Sequence, residues 1–193
     1  GDTNDSSDLF VRDLQQGTTT RVNVGPGGAQ ASATVAAAHG ISADGRWVAF
    51  DSQADNLVPG DFNGWRDVFV RDLQQGTTTL VSVGAGGTQG NGNSWVPTIS
   101  GDGRWVAFTS RASNLVAGDT NGLTDAFVRD VTSGVTTRVS VSTTGDQANG
   151  TSEVPIVAPG GRYVAFASSA SNLVVDDTNA ASDIFVRDLV AGS

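Results

Sequence analysis

The chain has 193 residues and no cysteine, so disulfides and thiolate metal sites are ruled out. Its formal charge is −9; all eleven basic residues are Arg, and nineteen of the twenty acidic residues are Asp, Glu153 being the exception. There is no basic stripe interleaved with aromatics for nucleic acid, and no apolar run approaches the ~20 residues that span a bilayer.

The chain opens Gly1-Asp2 rather than on Met, as expected of a processed or excised polypeptide. A composition rich in Asp, Asn, Gly, Ser and Thr, with no Lys or Met, favours turns and strand ends over helices. Residues 1–34 read as the last two strands of a four-stranded unit, the first of them holding Phe10 to Asp13. The same Phe-Val-Arg-Asp returns at Phe69, Phe127 and Phe185, in steps of 59, 58 and 58 residues. Arg-(Trp/Tyr)-Val-Ala-Phe starts at Arg46, Arg104 and Arg162, and Asn-Leu-Val at Asn56, Asn114 and Asn172, all in steps of 58.

Residues 35–92 and 93–150 are therefore whole units, and 151–193 hold the first three strands of another. In the second whole unit the spacing predicts a strand over Trp95–Ser100 and the turn Gly101-Asp102-Gly103. Its Asp-Gly pair suits the positive φ of a primed hairpin turn. A second strand follows at Trp105–Ser110, then a long loop at Arg111–Thr124 and a third strand at Ala126–Val131. The turn Thr132-Ser133-Gly134 leads to a fourth strand at Thr136–Val141, and Ser142–Thr151 links to the next unit. No helical period is sustained anywhere. The fold class is all-β: β-propeller blades of four antiparallel strands, about three blades per chain. A parallel β-helix would show much shorter coils. Stacked blades require inner strands apolar on both faces, as Val106-Ala107-Phe108 is.

The hairpins Ile41 to Phe50 and Ile99 to Phe108 (and, more weakly, Pro159-Gly160-Gly161-Arg162) precede the strands Asp67 to Val70, Asp125 to Val128 and Asp183 to Val186. Together they resemble the TolB-type, WD40-like propeller repeat over nearly the whole chain. The resemblance implies a scaffold used for binding, for assembly, or as an accessory domain beside catalytic ones. The 58-residue unit exceeds the ~40–45 residues of a WD40 blade, mostly in the loop between second and third strands. Three units fall short of the ~4–8 blades of a closed ring. Two expectations follow: two copies close a ring of about six blades through their open edges, joining into a blade with a duplicated third strand, or the segment sits within a longer propeller chain.

Each long loop ends in Asp-x-Asn-x-x-x-Asp: Asp2, Asn4, Asp8; Asp61, Asn63, Asp67; Asp119, Asn121, Asp125; and Asp177, Asn179, Asp183. Oxygen ligands at positions 1, 3 and 7 match the first half of a calcium loop, and Ca²⁺ bound there would order it. No Glu follows at position 12, so this is no EF-hand, and Asn-Leu-Val is a candidate source of further ligands. The competing reading makes these residues turn formers, with the last Asp opening the third strand. Trp47, Trp105 and Tyr163 are repeat-equivalent and read as core. Trp65 and Trp95 have no aromatic counterparts, Trp95 matching Ala37 and Glu153, and are candidates for a ligand-binding surface. The Arg-Asp pairs of Phe-Val-Arg-Asp suggest a charge ladder, and His39 is a lone histidine.

With no Cys, no Lys and one His, the chain offers no nucleophile with a base beside it and is expected not to be an enzyme. The reading is a non-catalytic module for binding or assembly, with a protein or glycan ligand, neither a nucleic-acid partner nor a membrane span, and loops ordered by calcium. The alternatives are a carbohydrate-binding propeller lectin and an accessory domain of a larger secreted hydrolase. Acidity, turn-rich β content and calcium use point to an extracellular or periplasmic location.

Overall fold

The structure, a computed structural model, describes residues 3–191, and of Ala37, Ala38 and His39 the backbone alone. The strands are β1 (Phe10–Asp13), β2 (Thr18–Arg21), β3 (Val35–Ile41), β4 (Trp47–Ser52), β5 (Asp67–Asp72), β6 (Thr77–Leu80) and β7 (Ser94–Ile99). They continue as β8 (Trp105–Ser110), β9 (Asp125–Asp130), β10 (Val135–Arg138), β11 (Ser152–Val157), β12 (Tyr163–Ser168) and β13 (Asp183–Asp188). Every pairing is antiparallel between chain neighbours, giving four sheets: β1-β2, β3 to β6, β7 to β10, and β11 to β13. Among the described residues the only helical pieces are the 3₁₀ turns Pro26–Gly28 and Ala85–Gly87. Among the described residues no helix is long and apolar enough to cross a membrane.

The sheets stack face to face, which explains the unbroken apolar runs. A strand covered on both faces has no solvent side, so alternation gives way to continuous hydrophobicity. Val48, Ala49 and Phe50 on β4 are all buried, as are Val106, Ala107 and Phe108 on β8. One core cluster joins Val68 and Val70 of β5 to Val106 and Phe108 of β8. The next joins Ala126 and Val128 of β9 to Val157, Val164 and Phe166 of β11 and β12. Within each blade a pair of phenylalanines stacks across the second and third strands: Phe50 on Phe69, Phe108 on Phe127 and Phe166 on Phe185, at 5.7, 5.8 and 5.9 Å.

The turns depart from expectation in detail. In the first hairpin positive φ falls on Gly103 (+74°) and not on Asp102. A single left-handed glycine is the geometry of a three-residue, bulged turn rather than a primed two-residue one. Asp102 bonds the hydroxyl of Ser100 and accepts the backbone N–H of Arg104 at 3.0 Å. The third strand ends at Asp130 and not at Val131, because the Asp130 carboxylate accepts the N–H groups of Thr132 and Ser133 and closes the turn. β10 stops at Arg138, three residues short of the expected end, where the chain leaves for the next blade and Val141 bridges to Gln147. On the innermost strands a β-bulge puts Val96 and Val154, each before a proline, at φ of 50° and 52°. Left-handed backbone is costly for a β-branched residue. It is held by the preceding blade: Val96 N–H donates to Asp51 at 3.2 Å and Val154 N–H to Thr109 at 3.1 Å.

Candidate functional site

The Asp-x-Asn-x-x-x-Asp loops form compact hydrogen-bonded knots at the entry to each third strand. Asp2 lies outside the described residues. In every copy the Asn side chain is the hub. The Asn63 amide nitrogen donates to Asp67 at 2.7 Å and to the Gly90 carbonyl at 3.1 Å, while its oxygen accepts the Trp65 N–H at 2.8 Å. Asn121 repeats this with Asp125, Ala148 and Leu123, and Asn4 with Asp8, Ala31 and Ser6. Asn179 makes the bonds to Asp183 and Ala181. In the first three copies the last Asp side chain is buried and anchored to the fourth-strand side of its blade: Asp67 to Ser82, Asp125 to Ser140 and Asp8 to Asn23. Asn56, Asn114 and Asn172 point elsewhere, pinning the link between blades by donating to the carbonyls of Gln30, Gln89 and Gln147.

Charge distinguishes the copies. In the third-copy loop Arg138 lies 3.1 Å from Asp119 and 3.5 Å from Asp125, and in the first Arg21 lies 3.0 Å from Asp8. The equivalent residue in the second loop is Leu80, paired across from Phe69 as Arg138 is from Phe127. Asp61 and Asp67 are buried there, and among the described residues no guanidinium pairs with them. Burial, with Asp61 nearby, pushes the Asp67 carboxyl up to about 6 against the hydrogen bonds of Ser82 and Asn63. Burial raises Asp61 as well. Among the described residues no group of three or more His, Cys, Asp or Glu side chains gathers for a metal.

The Arg-Asp pairs do not form the expected ladder. The Asp of Phe-Val-Arg-Asp pairs within its blade with the hairpin Arg: Arg46–Asp72 at 2.6 Å, Arg104–Asp130 at 2.7 Å and Arg162–Asp188 at 2.6 Å. These guanidiniums hold the three carboxyls below the ordinary range. The neighbouring Arg reaches back one blade instead, Arg71 to the Val24 carbonyl and Arg129 to that of Val83.

Trp47 and Trp105, expected in the core, are partly buried against it and reach between blades. A side chain at Gly103 would meet Trp47 at 2.2 Å and one at Gly161 would meet Trp105 at 2.1 Å, so each Trp lies on the hairpin glycine of the following blade. The contact occurs twice, and both of its halves recur without a partner. Tyr163, equivalent to the two Trp residues, is 42% exposed, and nothing lies within 4 Å of a Cβ built on Gly45. Phe10 on β1 is 50% exposed where Phe69 and Phe127 are fully buried. Trp65 is 44% exposed at its loop. Trp95 is half-buried on β7, with the Arg111 guanidinium 5.8 Å from its ring. Sequence reasoning missed Arg138, Leu80 and the surroundings of Trp95. Arg138 recurs as Arg21, whereas Leu80 and the residues around Trp95 break the repeat, and that was the available signal.

No family model matches the sequence, and no curated protein matches it. Solved structures do. TolB from Acinetobacter baumannii aligns at 15% identity and a TM-score of 0.56, over 96% of this chain and 36% of that one. The tricorn protease aligns at 17% and 0.59, over 99% and 16%. The β-propeller domain of the Trilobed protease from Pyrococcus furiosus, described as having an open velcro topology, aligns at 12% and 0.51, over 82% and 40%. At these identities the likeness shows the fold, a TolB-like β-propeller, and this chain spans about a third of the TolB structure's length.

Proposed function

We propose that this propeller segment is a non-catalytic assembly module that works outside the cytoplasm and closes a ring with a second copy of itself. The observation that carries the reading is the unfilled contact. The chain seats Trp47 on Gly103 and Trp105 on Gly161, and carries Tyr163 at one end, with its neighbour Arg162 over the ring and no hairpin glycine beneath it, and Gly45 at the other, with no atom within 4 Å of a Cβ built there. Tyr163 of one copy on Gly45 of the other would repeat the internal interface at each of two junctions. Such head-to-tail contacts form closed rings when the rotation permits. That arrangement requires β1 of one copy to displace β13 from its pairing with β12 of the other, so that Phe10 takes the place of Phe185 on Phe166. β13 repeats β1's Phe-Val-Arg-Asp and is the weaker competitor: Ile184 is 73% exposed where its counterpart Leu9 is 9% exposed.

Native mass spectrometry tests this. A dimer is expected for the unaltered chain, and monomers for Phe10→Glu and Tyr163→Asp, both at exposed positions that the monomer tolerates. A wild-type monomer at every concentration would instead make these faces the seats of further blades in a longer chain. Among the three loops whose blade carries its fourth strand in this chain, we confine calcium to the second, around Asp61, Asn63 and Asp67, because Arg21 and Arg138 already supply positive charge at the other two. A calcium titration of the wild type against Leu80→Arg checks this, with thermal stabilisation expected in the wild type alone.

A further inference from the structure

The 58-residue repeat supplies an internal control, since a side chain the scaffold needs recurs and one that serves a particular task does not. Between the second and third sheets, where β4 and β7 meet the long loops, lies a cavity of about 340 Å³ lined by Gln53, Arg66, Asn93, Trp95 and Arg111. All five break the repeat. Arg66 stands where the other units have Ser7, Thr124 and Ser182; Asn93 where they have Thr34 and Thr151; Trp95 where the next blade has Glu153. Gln53 and Arg111 are equivalent to one another and to Ser169, and both face this one cavity from neighbouring blades. A larger cavity of about 800 Å³ exists among the outer loops. Its lining is backbone and small side chains, and its one charged residue, Asp119, is already held by Arg138.

The charges in the smaller cavity point to an anion. In this acidic chain Arg21, Arg46, Arg66, Arg104, Arg138 and Arg162 each lie against a carboxylate. Arg111 has no carboxylate partner among the described residues: its Nε donates to the Thr124 hydroxyl at 3.2 Å, and its guanidinium lies over Trp95. Its terminal nitrogens suit a bidentate carboxylate. Arg66, balanced by buried Asp51, forms the opposite wall and gives the cavity no negative charge to repel an anion. The Asn93 oxygen is taken by the Arg66 N–H at 2.9 Å, which leaves its amide nitrogen as a donor beside the Gln53 amide. Such amides match hydroxyl groups, and an indole matches the C–H face of a sugar ring. The volume is at the small end of the ~300–1,000 Å³ range for ligand sites and fits about one ring.

We propose that this cavity binds an acidic sugar, with the carboxylate on Arg111, the ring against Trp95 and the hydroxyls on Gln53 and Asn93. The proposal is independent of ring closure, because the cavity lies wholly within one copy.

Isothermal titration calorimetry of the full chain tests it, using glucuronate and a glucuronate-containing tetrasaccharide, with the neutral glucose tetrasaccharide and inorganic sulfate as comparisons. Binding of both uronate probes is expected, and of neither comparison. Tighter binding of the tetrasaccharide would mark a polymer as the source, and equal binding a free monosaccharide. Arg111→Ala should weaken binding about tenfold, Arg111→Lys less, and Trp95→Ala should also weaken it, all with unchanged thermal unfolding. The idea fails if neither uronate binds at millimolar concentration, or if the neutral sugar or sulfate binds as well as the uronates. Equal affinity of the wild type, Arg111→Ala and Trp95→Ala would also overturn it.

Discussion

Two demands meet at Gly103. Its φ of +74° is left-handed, and a Cβ there would lie 2.2 Å from Trp47 of the preceding blade. Gly45 has the first demand without the second, with φ of +73° and no atom within 4 Å. Gly45→Ala should therefore cost about 1 kcal/mol, for the left-handed conformation alone. Gly103→Ala should cost about 1–3 kcal/mol more, because the indole must move. Chemical denaturation of the two variants in dilute protein would show that difference. It should narrow at concentrations where the ring closes and Tyr163 of a second copy covers Gly45. The glycine pattern was visible in the repeat; the second demand was not, because Trp47 and Gly103 belong to different blades.

At the scale of the element, each Asp-Asn-Asp loop is one device with different charge balance from copy to copy. The folded pKa of Asp67, about 6, lies above the ordinary carboxylate value near 4. Between those values the folded state holds more protons than the unfolded state. The Asp67 contribution to stability is therefore greatest below pH ~4 and falls as pH rises towards 6. Asp72, Asp130 and Asp188, held down by their arginines, act in the opposite sense: their contribution is present above pH ~4 and lost as pH falls. Leu80→Arg should restore the guanidinium of the other loops and bring Asp67 back towards about 4. Carboxyl NMR titration would measure this directly, and an unchanged midpoint would mean that Arg at 80 does not reach the carboxylate. The Asp-x-Asn-x-x-x-Asp spacing was legible in the chain. That the Asn amide nitrogen, and not a ligand oxygen, faces the last Asp depends on the Gly90 and Ala148 carbonyls, 27 residues further on.

For the whole molecule, stability and assembly are coupled if the ends close. A second copy that binds only the folded segment raises the unfolding temperature with concentration. Differential scanning calorimetry across a hundredfold dilution should show a falling Tm for the wild type and a constant one for Phe10→Glu. The open faces give the expected driving force its location. Phe10 is 50% exposed and Tyr163 42%, where Phe69 and Phe127, the counterparts of Phe10, are fully buried against their neighbours.

The architecture inside a single blade was readable along the chain. A 58-residue period, apolar runs of strand length and glycines at fixed turn positions are local or near-local signals, and each whole unit contains all four of its strands. The sequence also showed that Trp65 and Trp95 stand outside the repeat. What those departures do emerged from how the blades pack. That packing placed Trp95, Arg111, Asn93, Gln53 and Arg66 around one cavity, put Arg138 between two aspartates, and seated Trp47 and Trp105, packed against the core, on the hairpin glycine of the next blade. The physical reason is the spacing of contacts. Within a blade, partners are hairpin neighbours along the chain, whereas between blades they lie some 45 to 60 residues apart and depend on how two twisted sheets stack.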